Sequence, residues 1–254
     1  AFALLLTKVT KPLNVHCVHK CSIQSIESEV KNKMKRTISI MTGKGSVNHN
    51  DRKFTAENVD KERTPNNITY CNENIRTVYH KLFDEAVKNY NARQTRPDRQ
   101  IKNYYKKISR ESKQEKPFRE IIVQIGDKDN MGAETQNGQL AKKILDEYMK
   151  GFQERNPNLY VFSGHLHMDE ATPHLHIDFV PFTTGSKRGL DTRVSMKGAL
   201  KQQGFIGTGR SNTERAQWAK SEKEALSKIM LEQGIEWYEK GTHEKHKSVS
   251  EFKR

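Results

Sequence analysis

The chain has 254 residues, with 45 Lys and Arg against 31 Asp and Glu and a formal net charge of +14. No run approaches the roughly 18 apolar residues that cross a bilayer, which excludes a helical transmembrane protein. Three cysteines (Cys17, Cys21, Cys71) are too few for a disulfide framework and point to a reducing cytoplasm, where so basic a chain is expected to meet a polyanion.

Residues 1–33 differ in character from the rest of the chain and are expected to be a poorly packed or artefactual extension; the folded domain is expected over 34–254. The opening Ala1–Leu6 run is shorter than the apolar part of a secretion signal and has no basic stretch before it. The cluster His16-Cys17-Val18-His19-Lys20-Cys21 has zinc-ligand residue types, but no second pair accompanies it, so no metal role is assigned. Thr37 to Thr42 alternates like a strand, and the polar stretch 49–70 reads as an irregular arm. Ile75, Val78, Tyr79, Leu82, Phe83, Ala86 and Tyr90 recur every three or four residues and predict an amphipathic helix over 73–92. A second helix is expected over about 100–112, a buried strand over Phe118 to Gly126, and a helix from Asn137 to Asn156. Two strands, about 159–168 and 174–181, flank a short turn containing Pro173. A Gly-rich basic stretch (183–215) and a last helix, about 212–233, close the pattern. Strands early and in a hairpin, with helices between, predict an α+β fold: an antiparallel sheet with a central hairpin and helices mainly on one face.

Chemistry concentrates in GHLHMDEATPHLHIDFVP, Gly164 to Pro181. Alternate residues of a strand share a face, so His174 and His176 project together, as do His165 and His167, while Leu175, Ile177 and Phe179 face a core. Folding back over the turn sets His167 opposite His174, at the roughly 5 Å Cβ spacing of cross-strand neighbours. Three imidazoles on a rigid hairpin with open positions left over make a catalytic rather than a closed structural metal arrangement. Four histidines in phase within a dozen residues are poorly explained as isolated core residues. A closed zinc site would need His165 as fourth ligand, and that residue reads better as a contact behind the ligands.

The string His167-Met168-Asp169-Glu170-Ala171-Thr172-Pro173-His174-Leu175-His176, with Pro181 after it, resembles the HxDExTPHxH…P motif of MobV-family relaxases. These are the plasmid mobilisation (Mob/Pre, plasmid recombination enzyme) proteins of the HUH endonuclease class. His49-Asn50-Asp51-Arg52, then Asp60, Glu62-Arg63-Thr64 and Asn67, resemble the same family's HNxR and ERTxxN segments, in the same order. The resemblance implies that His167, His174 and His176 coordinate a divalent cation, Mn2+ or Mg2+. Glu170 would be a proton acceptor or ligand-orienting carboxylate, and His165 and Asp169 would stand behind the ligands. It implies a catalytic role for His49 as nucleophile, with Arg52 and Arg63 on phosphate oxygens and Asn67 also at the DNA. Tyr70 is the backup nucleophile, because Ile68 stands where relatives carry a tyrosine. The implied reaction is metal-dependent, strand-specific nicking and transfer of DNA at an origin of transfer through a 5′-phosphohistidine. The implied partners are origin DNA and the coupling protein of a conjugative secretion system.

Residues 181–220 hold Lys187, Arg188, Arg193, Lys197, Lys201, Arg210, Arg215 and Lys220 against Asp191 and Glu214. A basic, Gly-rich stretch directly after the histidine strand predicts a groove floor or flap for single-stranded DNA. Lys187, Arg188, Arg193, Arg210 and Arg215 would meet phosphates there, and Phe182, Phe205 or Trp218 would stack on bases. The His243 and His246 pair reads as a polar tail. Two alternatives remain open from sequence. One is an HUH replication initiator or transposase, for which only Tyr238 is available beyond residue 212; the other is a non-enzymatic basic DNA-binding module with a structural metal.

Overall fold

The structure is a computed structural model that describes residues 34–241; the expectations for residues 1–33 and for the His243/His246 pair lie outside the described residues. In chain order come β1 (Met34–Arg36), β2 (Ile38–Thr42), the four-residue helix α1 (Val47–Asn50), a 3-10 turn (Thr64–Asn66), β3 (Ile68–Asn72) and α2 (Ile75–Ala92). Next are α3 (Tyr104–Lys106), which runs into a π-turn (Lys107–Glu111), β4 (Arg119–Ile125), α4 (Lys128–Met131), α5 (Gln136–Lys150) and α6 (Phe152–Arg155). The last elements are β5 (Leu159–His167), β6 (His174–Thr183), β7 (Arg193–Val194), α7 (Met196–Gln202), α8 (Glu214–Glu232) and β8 (Ile235–Trp237). The main sheet is antiparallel in the order β2-β4-β6-β5-β3, with β7 added to β6, and β1 pairs with β8 in a separate parallel ribbon.

Alternation along β6 decides which side is which. Leu175, Ile177 and Phe179 are fully buried in the larger core, beneath Ile144, Leu145, Tyr148 and Phe152 of α5 and α6 and Trp218, Leu226 and Met230 of α8. The helices form where the sequence punctuates them. Thr135 caps α5 by accepting from Gly138 N–H, and Thr213 caps α8 by accepting from Ala216 N–H. Gly138 is required by contact as well, since a Cβ there would lie 2.1 Å from the Gly132 carbonyl oxygen. The opposite face is divided. Its far end is apolar, where Phe162 and Val180 meet Val78, Tyr79 and Phe83 of α2; its near end carries the histidines.

A bulge in β5 makes that division possible. The β5–β6 register shifts between Val161 and Ser163, after which Ser163 opposes Asp178, His165 opposes His176 and His167 opposes His174. The extra residue lets Phe162 fill the apolar end while His165 and His167 stay in phase on the same face, a re-aiming that bulges supply.

The arm over 49–70 departs from the expected irregular stretch. It begins with α1, makes the 3-10 turn, and ends in β3, an edge strand hydrogen-bonded to β5. Alternation does not reveal β3 because its own register shifts between Thr69 and Cys71, so Ile68, Tyr70 and Cys71 all pack toward the larger core. Helix α7 is likewise a regular element inside the stretch expected to be a flap.

Candidate metal centre

Each of the three paired histidines has one ring nitrogen anchored outward and the other turned inward. His167 Nε2 lies 2.8 Å from the Asn50 carbonyl oxygen, His174 Nδ1 2.7 Å from the Thr172 carbonyl oxygen, and His176 Nδ1 2.6 Å from Glu120 Oε1. Those acceptors require the anchored nitrogens to carry the protons. The remaining nitrogens, His167 Nδ1, His174 Nε2 and His176 Nε2, are left with lone pairs. Two of them, His167 Nδ1 and His176 Nε2, are buried without any partner. Orienting a ligand through its second nitrogen is how metal-binding histidines are held.

The lone pairs converge with two groups from elsewhere. His167, Glu170 and His174 offer ligand atoms all within 4.8 Å of one another, and so do His49, His167 and His176. Glu170 Oε1 is 3.9 Å from both His167 Nδ1 and His174 Nε2. The ring of His49 meets those of His176 and His167 edge-on at 5.8 and 6.1 Å between centroids. A buried cluster of neutral nitrogens and one carboxylate, two atoms of it unsatisfied, fits a divalent cation in chemistry and in size.

Electrostatics keep the nitrogens free. Burial, together with the proximity of the His176 ring, holds His174 down to about 4, and burial holds His165 down to about 4. Burial, reinforced by His174 and His176, depresses His167 further still. Glu170 goes the other way from its burial: the contact with His49, the neighbouring His174 and the hydrogen bond from Arg52 hold its carboxyl well below the usual range. His165 stands behind the cluster, with Nδ1 3.2 Å from Thr69 Oγ1.

The ERTxxN segment is the lock on the turn that presents Glu170. Asn67 Nδ2 donates to Asp169 Oδ2 (2.7 Å) while Asn67 Oδ1 accepts from Met168 N–H (2.6 Å). Thr64 Oγ1 donates to Asp169 Oδ2 at 3.0 Å, and Arg63 Nη1 donates to the Met168 and Glu170 carbonyls at 3.0 and 3.1 Å. Arg52 grips both carboxylates, reaching Asp169 at 2.9 and 2.5 Å and Glu170 at 2.9 Å. Its backbone is left-handed (φ 59°), a conformation an arginine adopts only when its surroundings hold it there. Arg52 and Arg63, expected on phosphate oxygens, thus have partners inside the protein.

Other expected residues lie apart from the cluster. Tyr70 points to the helical side, where its hydroxyl donates to Asp146 Oδ1 at 2.9 Å. Lys187, Arg188 and Arg193 come after the end of β6 opposite to His174, and the nine steps of that strand span about 30 Å. Arg210 is exposed in the loop before α8, and Arg215 reaches Thr42 Oγ1. Stacking by Trp218 is excluded: it is 1% exposed, and its indole N–H donates to Asn156 Oδ1 at 2.7 Å. Phe205 and Phe182 pack against the two cores.

Four supporting residues carry no assigned role from sequence alone: Asn50, Glu120, Ser163 and Asp178. Asn50 Nδ2 bridges Glu120 Oε1 (2.8 Å) and Asp178 Oδ2 (2.9 Å), and Ser163 Oγ donates to the same Asp178 oxygen at 3.0 Å. Burial, with Glu120 nearby, pushes Asp178 up to about 7. Asp178 is in phase with His174 and His176 and is visible from alternation; Asn50 lies inside the HNxR segment. Glu120 has no signal, because only the β4–β6 pairing brings it beside His176.

Residues 50–254 match the family profile described as plasmid recombination enzyme (Mob_Pre). The chain belongs to that family. No curated protein matches it in sequence. Its fold is similar to that of solved MobM relaxase domains (MOBV, Mob_Pre), Mn-bound and complexed with plasmid pMV158 oriT DNA. One, at pH 5.5, is 20% identical with a TM-score of 0.50, over 85% of this chain and 98% of that chain. Another, at pH 4.6, is 22% identical with a TM-score of 0.50 over the same shares. At that identity the likeness establishes the fold, an α+β relaxase-type sheet. The family match takes in β3, the turn lock and the three histidines, and begins one residue after His49.

Proposed function

We propose that this plasmid recombination enzyme is a metal-dependent relaxase that nicks one DNA strand at an origin of transfer, with His49 as nucleophile. The observation that carries the reading is a pair of ligand groups joined at His167, one with Glu170 and His174 and one with His176 and His49, in which His167 Nδ1 and His176 Nε2 are buried without a partner. A divalent cation, Mn2+ or Mg2+, would be held by those three histidines and would supply charge neutralisation at the scissile phosphate. The similar relaxase domains hold Mn at pH 5.5 and 4.6, and the depressed histidines here would stay neutral over most of that acid range.

The chain's own groups prepare the nucleophile. His49 Nε2 lies 3.3 Å from Arg52 Nη1 and 3.5 Å from Glu170 Oε1. A guanidinium can only donate, so its contact selects the neutral ring with the lone pair on Nε2. A carboxylate can only accept, so its contact selects the protonated ring. Arg52 also binds Glu170 directly and takes up part of that negative charge. In the step itself an N–P bond forms at Nε2 and the P–O3′ bond breaks; the Nδ1 proton leaves to solvent and the departing 3′ oxygen takes one from solvent. The 5′ phosphate stays on the protein and a 3′-OH can reverse the step. Asp169, Arg63, Thr64 and Asn67 act by fixing the turn that aims Glu170.

We further propose action in the cytoplasm with a conjugative coupling protein as partner. Support is the +14 charge and the absence, among the described residues, of a helix long and apolar enough to cross a membrane. The central test incubates the protein with supercoiled plasmid carrying its origin and Mn2+, and reads open circle and the peptide mass left on the DNA. The expected result is an adduct on the peptide containing His49 and at least a ~10³-fold loss of nicking in His49→Ala, matching the few kcal/mol a nucleophile supplies. An adduct on another residue overturns the assignment.

A further inference from the structure

Between the start of β4 and the first turns of α7 and α8 lies a cavity of about 250 Å³, lined by Glu115, Arg119, Lys197, Leu200, Glu214 and Arg215 among others. A recess of about 10 Å³ shares Arg119 and Arg215 with it and reaches Glu120, the carboxylate that anchors His176. We propose that this cavity is a second phosphate-binding subsite, in which Arg119 and Arg215 hold a backbone phosphate of the DNA strand outside the metal cluster. The proposal deepens the relaxase reading and rests on it.

Two arginines at this cavity have few partners. Arg119 Nε is buried without a hydrogen-bond partner, and the Arg119 guanidinium comes no nearer than 3.9 Å to Glu115. Arg215 Nη2 donates to the neutral hydroxyl of Thr42. The other carboxylate at the cavity, Glu214, is engaged by Lys197 at 3.7 Å and Lys201 at 3.8 Å. Burial and the charge of Arg119 both press the Arg215 guanidinium toward deprotonation, yet a guanidinium does not give up its proton in a protein. Both guanidiniums therefore stay charged at the rim of a space they share, and among the described residues Arg215 has no carboxylate in an ion pair with it.

Phosphate is the anion whose geometry matches. Two planar forks can each present parallel N–H donors to its oxygens, and a phosphodiester keeps its charge at every working pH. Met196 and Leu200 give the cavity an apolar wall that strengthens such contacts. The space is several times the ~30 Å³ share of one water. Lys197, with 68% of its side chain exposed, stands at the rim and would meet the next phosphate or steer the strand in. A chain of +14 makes a polyanion the favoured source over free phosphate.

The test uses the metal-free full chain and a fluorescent oligothymidylate 20-mer, so it needs neither nicking nor the origin sequence. Anisotropy titrations over a salt series give the slope of log K against log [salt]. For Arg119→Gln/Arg215→Gln the slope is expected to shrink by about 0.7, the loss of one phosphate contact on a single strand. The melting temperature should hold or rise, because two like charges have been removed; Arg215→Lys should keep most of the slope. In parallel, inorganic phosphate titrated into the wild-type chain should shift the Arg119 and Arg215 Nε NMR signals. An unchanged slope overturns the proposal. Phosphate-dependent shifts with an unchanged slope assign the cavity to a small phosphate compound and overturn the DNA claim. A lower melting temperature with an unchanged slope makes the pair structural and overturns it too. Failure of the relaxase reading would show separately, as absent plasmid nicking with this binding intact.

Discussion

The two faces of β6 alternate along one short run of chain and behave as different materials. On one, Leu175, Ile177 and Phe179 are sealed by helices from elsewhere in the chain, and burial alone holds them. On the other, His174, His176 and Asp178 are also removed from water, but each side chain is held through one polar atom by a partner from the arm, from β4 or from the turn. The difference teaches that apolar packing tolerates approximation, whereas the polar face functions only if its outer partners leave particular lone pairs unpaired. Paired substitutions test it most sharply. Ile177→Ala should cost about 2–5 kcal/mol of stability in urea denaturation, while nicking per folded molecule stays within about threefold. His176→Ala should cost about 1–3 kcal/mol through the charge-assisted hydrogen bond lost at Glu120, yet lower nicking by ~10³-fold, the several kcal/mol that a held cation supplies. Equal losses in both measurements for both variants would erase the distinction.

If the polar face is held by protein partners rather than by an ion, chelated protein should remain folded. Mn2+ alone should then raise stability by mass action, by about 2.7 kcal/mol at a hundredfold excess over its dissociation constant. Thermal melts with and without Mn2+ read this directly, and His174→Ala should abolish the increment. Unfolding on chelation would mean that the ion builds the face, which is the structural-metal account.

How much of this is legible in sequence depends on the physics of each signal. Period-two alternation and the HxDExTPHxH string give the hairpin, its core side and its three histidines, because strand geometry is local. The bulge between Val161 and Ser163 is invisible, since it depends on which partner strand is present. Glu120 is hidden for the same reason: its role exists only across the β4–β6 ladder. The motif arginines stand out as important, but spacing cannot tell that Arg52 and Arg63 grip the Asp169–Glu170 turn rather than point outward. Proximity in sequence also misleads at Lys187, Arg188 and Arg193, because a long strand carries its two ends far apart.

Acid should weaken the polar face in a predictable direction. His165 and His174 titrate at about 4 in the folded chain because burial excludes their charge, but near 6.5 when unfolded. As pH falls from 6.5 toward 4 the unfolded chain takes up protons that the folded one refuses, and stability declines. Asp178, raised to about 7, opposes this: between its unfolded value near 3.8 and 7 the folded form holds a proton that the unfolded form has released. Asp178→Asn removes that compensation. Chelated Asp178→Asn should therefore lose about 2 kcal/mol more than wild type between pH 6.5 and 5, at about 1.4 kcal/mol per group per pH unit. Parallel curves for the two proteins would refute the assignment of Asp178 as a buried neutral acid.

The smallest effect is expected where the two faces come closest in sequence. Thr69 and Tyr70 are neighbours on β3, yet Thr69 reaches His165 on the polar side and Tyr70 reaches Asp146 on the helical side. Burial and Asp146 raise the Tyr70 hydroxyl above its ordinary value, so its nucleophilic form is disfavoured as well as turned away. Tyr70→Phe should lose one hydrogen bond, about 0.5–1.5 kcal/mol, and leave nicking and adduct formation within about twofold. A collapse of adduct with stability intact would move the nucleophile from His49 to Tyr70. It would also require β3 to turn over when DNA binds, since a one-residue slip is what exchanges the faces of a strand.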